Sequence, residues 1–166
     1  QADDHMELRG LAEVVAEILG TANLQATLGE RFYSLVDLPH QLEVCELVHD
    51  YAQTRDQVSH LHRLGNHFMG MVMSGKLSAS DTRLIHPDIK LLHSYDEENN
   101  ASLLATWIAY LKAHKHLLNA AESLGVHKNT LVYRLKRISE MTVSLNDDSE
   151  DISYQLLSNE KIKMTS

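Results

Sequence analysis

Around Gly125 the chain is laid out as two short helices joined by a tight turn, and this restricts the fold more than any other feature. Before the glycine, "LNAAESL" spaces Ala120, Ala121 and Leu124 along one side of a helix. After it, Leu131, Leu135 and Ile138 fall at i, i+4 and i+7, the inner stripe of a helix that should begin near Lys128. Two crossing helices need a small residue where their backbones meet and a permissive residue in the turn. Ala121 and Gly125 supply these.

The rest of the chain reads as helical too. Two prolines and seven glycines in 166 residues leave few interruptions, and most segments repeat apolar residues at three- and four-residue steps. Asp3 or Asp4 is expected to cap a first helix carrying Leu8, Leu11, Val15 and Leu19, which ends at Gly20. A second helix follows Asp37, with Pro39 in its first turn and Leu42, Cys45, Val48 and Ala52 on one face. Between them "ATLGERFYSLV" has the composition of a short strand. "QVSHLHRL" alternates like another, before the methionine cluster "GNHFMGMVMSG".

His86-Pro87 opens a short helix, and the polar run "YDEENN" suggests a domain junction near Asp96. Asn99 or Asn100 then caps a helix with the stripe Leu103, Trp107, Ile108 and Leu111. Trp107 is expected to anchor this leading helix against the hairpin. After the acidic loop "SLNDDSED" comes a last amphipathic stretch with Ile152, Leu156 and Leu157. The fold class is mainly α: a C-terminal helix-turn-helix domain over 97–166, preceded over 1–96 by a helical region with room for one or two short strands.

Charge singles out the same place. The chain carries a net charge of −8, yet residues 112 to 137 hold Lys112, Lys115, Lys128, Arg134, Lys136 and Arg137 against one acid, Glu122. An acidic body with one basic stretch is the footprint of a protein that meets nucleic acid through a single element. On a helical wheel Asn129, Tyr133, Lys136 and Arg137 share the arc opposite the apolar stripe. Asparagine can pair with adenine through two hydrogen bonds, arginine and lysine reach guanine or phosphate, and tyrosine can donate to phosphate. Thr130 and the first-turn amides could hold a phosphate at the positive end of the helix. His127 and Lys128 sit where such a helix would enter a major groove.

With these residues in view, "NAAESLGVHKNTLVYRLKRISEMT" resembles the C-terminal helix-turn-helix of the PucR/CdaR class of bacterial transcription regulators, which govern purine catabolism, sugar diacid use and related pathways. The likeness rests on Ala121 and Leu124, on His127, Lys128, Asn129, Thr130 and Leu131, and on Tyr133, Arg134, Leu135, Lys136, Arg137 and Ile138. It extends upstream through "HPDIKLLHSYDEENNASLLATWIAYL" and more faintly to "LGERFYSLVDLPHQLEVCELV". Two departures stand out: Thr142-Val143 replaces the glycine common after the third helix, and Cys45 stands where alanine is usual, which points to tight packing and not to thiol chemistry.

The resemblance implies a DNA-binding regulator, working as a homodimer on repeated half-sites of double-stranded DNA. Any small-molecule effector would be sensed mostly N-terminal to these residues. Its DNA-binding set would be His127, Lys128, Asn129, Thr130, Tyr133, Arg134, Lys136 and Arg137.

The remaining observations narrow the alternatives. No apolar run approaches the ~18 residues of a membrane-spanning helix and no secretory signal is evident, so a soluble cytoplasmic protein is expected. The lone Cys45 excludes an internal disulfide framework. The chain starts at Gln1 and reads as a piece of a longer protein. The eleven histidines, His60, His62, His67, His114 and His116 among them, lack a metal-binding pattern, so neither metal nor cofactor is expected. Without a nucleophile elbow or a glycine-rich phosphate cradle, an enzyme is not expected either. The competing reading is a helical protein-interaction module whose basic helix docks an acidic partner.

Overall fold

In a computed structural model, residues 13–32, 35–55, 58–78, 81, 84–142 and 152–165 are described, and they form two compact units, Gln1–Asp81 and Thr82–Ser166.

The first unit has a β-α-β core. Helix α1 covers residues 13–21, strand β1 is Ala26–Leu28, and a 3-10 turn at Leu35–Asp37 leads into α2, Leu38–Arg55. Strand β2, Leu61–Arg63, then pairs parallel to β1 with Thr27 opposite His62, and α3, Leu64–Met73, follows directly. Parallel pairing needs a long crossover, and α2 provides it. At Gly70 on α3 a side chain would collide with the hydroxyl of Tyr51 on α2, so glycine leaves room for that ring here.

Two sequence expectations shift in this unit, at the end of α1 and on the inner face of α2. The Asp3 or Asp4 cap lies outside the described residues. Helix α1 runs past Gly20 and stops at Asn23, whose left-handed φ of 52° permits bonds from Leu24 N to Leu19 O and from Asn23 N to Gly20 O. On α2 the buried residues are Val44, Val48 and Ala52, whereas Leu42 is 56% exposed and Cys45 only partly covered. Burial, with Glu30 nearby as the lesser cause, holds the Cys45 thiol above its ordinary pKa, the opposite of an activated thiolate. The methionine cluster divides: Met71 is buried and Met73 exposed.

The second unit packs α4 (Pro87–Asn99), α5 (Leu103–Lys112), α6 (Leu117–Ser123), α7 (Lys128–Met141) and α8 (Ile152–Thr165) around one core. Ile89, Leu92, Trp107, Ile108, Leu111, Ala120, Leu131, Leu135, Ile138 and Ile162 meet there. Helix α4 belongs to this core through Ile89 and Leu92, and the compact units divide between Asp81 and Thr82.

Asp96 has a different role, because one carboxylate oxygen accepts the Leu103 amide at 2.8 Å and the other accepts Leu104 at 2.9 Å. It therefore caps α5 from the neighbouring helix. Neither Asn99 nor Asn100 supplies that cap. Asn100 instead takes a left-handed conformation that ends α4.

Helix α8 is held through polar groups. Trp107 Nε1 donates to Gln155 Oε1 at 2.7 Å, the His86 amide donates to Ser158 Oγ at 2.9 Å, and Lys161 Nζ donates to the Leu84 carbonyl at 3.0 Å, all buried. Through this bond Trp107 ties α5 to α8, an attachment that its expected role against the hairpin does not include. The acidic loop at 144–151 lies outside the described residues.

Candidate nucleic-acid interface

The turn between α6 and α7 is built from local chemistry. Gly125 has φ +62°, and the amides of Gly125 and Val126 return to the carbonyls of Glu122 and Ala121, both at 3.0 Å. This paired closure satisfies the last carbonyls of α6 and requires a left-handed residue. Nothing lies within 4 Å of where a Gly125 side chain would begin, so its backbone angle alone explains the glycine. Ala120 and Ala121 are both buried in the core. The preceding turn has no glycine: His114 and Lys115 take φ of 50° and 62° while closing α5 in the same paired manner.

Helix α7 begins with a histidine cap. The Asn129 amide donates to His127 Nδ1 at 3.2 Å. The amides of Thr130 and Leu131 donate to the His127 carbonyl at 3.0 and 3.2 Å. The amides of Asn129, Thr130 and Leu131 are thus engaged within the cap. His86 uses the same device on α4, where its Nδ1 accepts the Asp88 amide at 3.1 Å. We predict that His127→Ala costs about 1 kcal/mol of stability, read from urea denaturation, and that His127→Asp recovers most of it by restoring an acceptor at the cap.

Leu131, Leu135 and Ile138 are buried against α5 and α6, which fixes the rotation of α7. The opposite face therefore points outward. His127, Lys128, Asn129, Thr130, Lys136 and Arg137 are exposed, and Tyr133, 73% exposed, offers an aromatic ring with a phenol donor. Glu140 shares this face and accepts from Arg137 Nη1 at 3.1 Å.

Arg134 stands apart from the other candidate contacts. It is partly buried, and its Nη1 donates to Thr106 Oγ1 on α5 at 3.2 Å, so it braces α7 against the leading helix. The exit of α7 explains the missing glycine. Thr142 adopts an extended conformation (φ −118°), and its amide and hydroxyl both donate to the Ile138 carbonyl, at 2.9 and 3.0 Å. No left-handed residue is needed there.

An amphipathic third helix behind a tight turn, braced by a leading helix and wet on its basic side, is the geometry of a helix-turn-helix. A family model described as the PucR C-terminal helix-turn-helix domain matches residues 103–156. The chain carries a PucR C-terminal helix-turn-helix domain. Among curated proteins, the proline-responsive transcriptional activator PutR of Bacillus subtilis (strain 168) is 46% identical over 61 residues, 36% of this chain and 15% of that protein. The DNA-binding transcriptional activator AdeR of the same organism is 36% identical over 50 residues, 30% of this chain and 12% of that protein. These matches therefore span a small fraction of the relatives' lengths. No solved structure matches the chain.

The PucR-type domain thus accounts for α5, α6, α7 and the start of α8, while α4 and its Asp96 cap lie outside the matched segment. Sequence reading missed the histidine caps, the polar seat of α8 and the brace at Arg134. Among the described residues no three metal-ligating side chains converge, and no helix is long and apolar enough to cross a membrane.

Proposed function

We propose that the protein is a sequence-specific DNA-binding transcriptional regulator that lays the wet face of α7 in the major groove of double-stranded DNA. The observation that carries this reading is the shared exposed face of α7, with Asn129, Tyr133, Lys136 and Arg137 presented together behind the Gly125 turn. Asn129 reads base edges from the first turn, and Lys128, Thr130 and Tyr133 contact the flanking backbone. Lys136 and Arg137 neutralise phosphate, His127 caps the helix, and Arg134 fixes the helix against α5.

The DNA-binding domain assigned to residues 97–166 draws support from α4 as well. Residues 1–96 then contribute the end of a regulatory and dimerisation region in a cytoplasmic protein. One helix reads too few base pairs to find an operator, so the working unit is a homodimer on two half-sites. The proline response in PutR's name motivates a small-molecule effector for this protein too. No catalytic step belongs to this reading.

Selecting bound sequences from a random duplex pool with the full-length protein tests it. The expected product is a pair of related half-sites centred about one helical turn (~34 Å) or a multiple of it apart. A bound pool with no enriched sequence would contradict sequence-specific reading.

A further inference from the structure

Arg137 is exposed, at 48% for its side chain, yet two groups hold it. Glu140 accepts from its Nη1 at 3.1 Å, and its Cζ lies over the ring of Tyr95 at 5.8 Å from the centroid. Glu140 is on α7 itself and tethers the guanidinium only along that helix. Tyr95 comes from α4, is partly buried against the core, and directly precedes Asp96, which caps α5 with both oxygens. The end of α4 therefore grips the leading helix and a basic side chain of the third helix at adjacent residues. Hydrogen bonding to Tyr95 first, then to Glu140, raises the Arg137 pKa above its ordinary value. Arginine is charged near neutral pH in any case, so these contacts act on where the group sits.

We propose that Tyr95, outside the matched segment 103–156, is a positioning residue for DNA binding: its ring holds the Arg137 guanidinium where it meets a backbone phosphate. The proposal rests on the reading that α7 faces the duplex. A free arginine gives up rotamer freedom when it binds phosphate, and a guanidinium already parked on an aromatic face gives up less. Tyr95 suits this task because it holds the guanidinium with its ring and its neutral hydroxyl, leaving the charge uncompensated by Tyr95 and the remaining donors free for phosphate.

A double-mutant cycle on the full chain tests this, using a duplex recovered by selection, at two salt concentrations. Tyr95→Leu should weaken binding about three- to tenfold, and Tyr95→Phe, which keeps the ring but removes the hydroxyl acceptor, should weaken it less. Arg137→Ala should lower the slope of log K against log salt by about 0.9, and Tyr95→Leu added to it should cost nothing further. If Tyr95→Leu leaves the unit unfolded by circular dichroism, Tyr95→Met replaces it in the same cycle.

The proposal is overturned if the Tyr95 substitution weakens binding equally with and without Arg137, the mark of a purely structural role, or if it has no effect in either background. It is also overturned if Arg137→Ala leaves affinity and slope unchanged while duplex binding persists, and in that case α7 remains the DNA-facing element. Absence of duplex binding by the unsubstituted protein overturns the α7 reading itself, and the proposal with it.

Discussion

Replacing Trp107 by alanine is expected to cost the second unit about 3–5 kcal/mol, enough to unfold a domain of ordinary stability. The ring is fully buried beside Leu111, Leu131 and Ile138, so its loss leaves a large cavity, and it also takes the Nε1 donor away from the buried Gln155 side chain. Tryptophan→phenylalanine separates these contributions. It keeps most of the apolar volume and removes the Nε1 donor, for an expected loss of about 1–3 kcal/mol at the buried acceptor. Urea denaturation followed by far-UV circular dichroism measures both. A negligible cost for Trp107→Phe would mean that α8 is not seated on α5 through Gln155. Because Trp107 is the chain's one tryptophan, selectively excited tryptophan fluorescence of this chain reports on this core, and a blue-shifted emission that disappears on unfolding is expected.

The second large effect concerns recognition. Asn129→Ala should weaken binding to a cognate duplex by about 1–3 kcal/mol and leave binding to a scrambled duplex almost unchanged, because an amide that pairs with adenine discriminates between bases. Competition between the two duplexes reads this ratio directly. Stability should change little, since Asn129 is exposed and its backbone amide, which bonds His127, survives the substitution. Equal weakening on both duplexes would assign Asn129 to the backbone, and no change on either would remove it from the interface.

The helices that shape the interface were legible because their apolar periodicity is strong and local. Leu131, Leu135 and Ile138 could only mark an inner face, and Gly125 could only mark the turn. The polar parts of the fold were not legible, for a definite reason. Gln155, Ser158 and Lys161 are buried on α8, and their partners Trp107, His86 and Leu84 lie 48 to 77 residues away, so no local pattern marks them as interior. Caps failed similarly. His127 and His86 cap helices with a ring nitrogen, outside the usual Ser, Thr, Asp and Asn, and Asp96 caps a helix other than its own.

On α2, Leu42 looked like core but faces outward, because Val44, Val48 and Ala52 set the true inner row. Within the interface, sequence grouped Arg134 with its basic neighbours, and only the bond to Thr106 separates a brace from a contact. The difference matters for mutagenesis: Arg134→Ala would loosen α7 on α5, so a binding defect in that variant does not by itself report a DNA contact.

If the exposed face of α7 binds duplex DNA through its charges, titration of the full chain with a selected duplex at two salt concentrations will distinguish the unsubstituted protein from the Lys136→Ala/Arg137→Ala double variant. Affinity should fall steeply as salt rises, and the double variant should lower the slope of log K against log salt by about 1.8, near 0.9 for each phosphate that is no longer neutralised. An unchanged slope in the double variant, or no duplex binding even at low salt, would contradict binding through those charges.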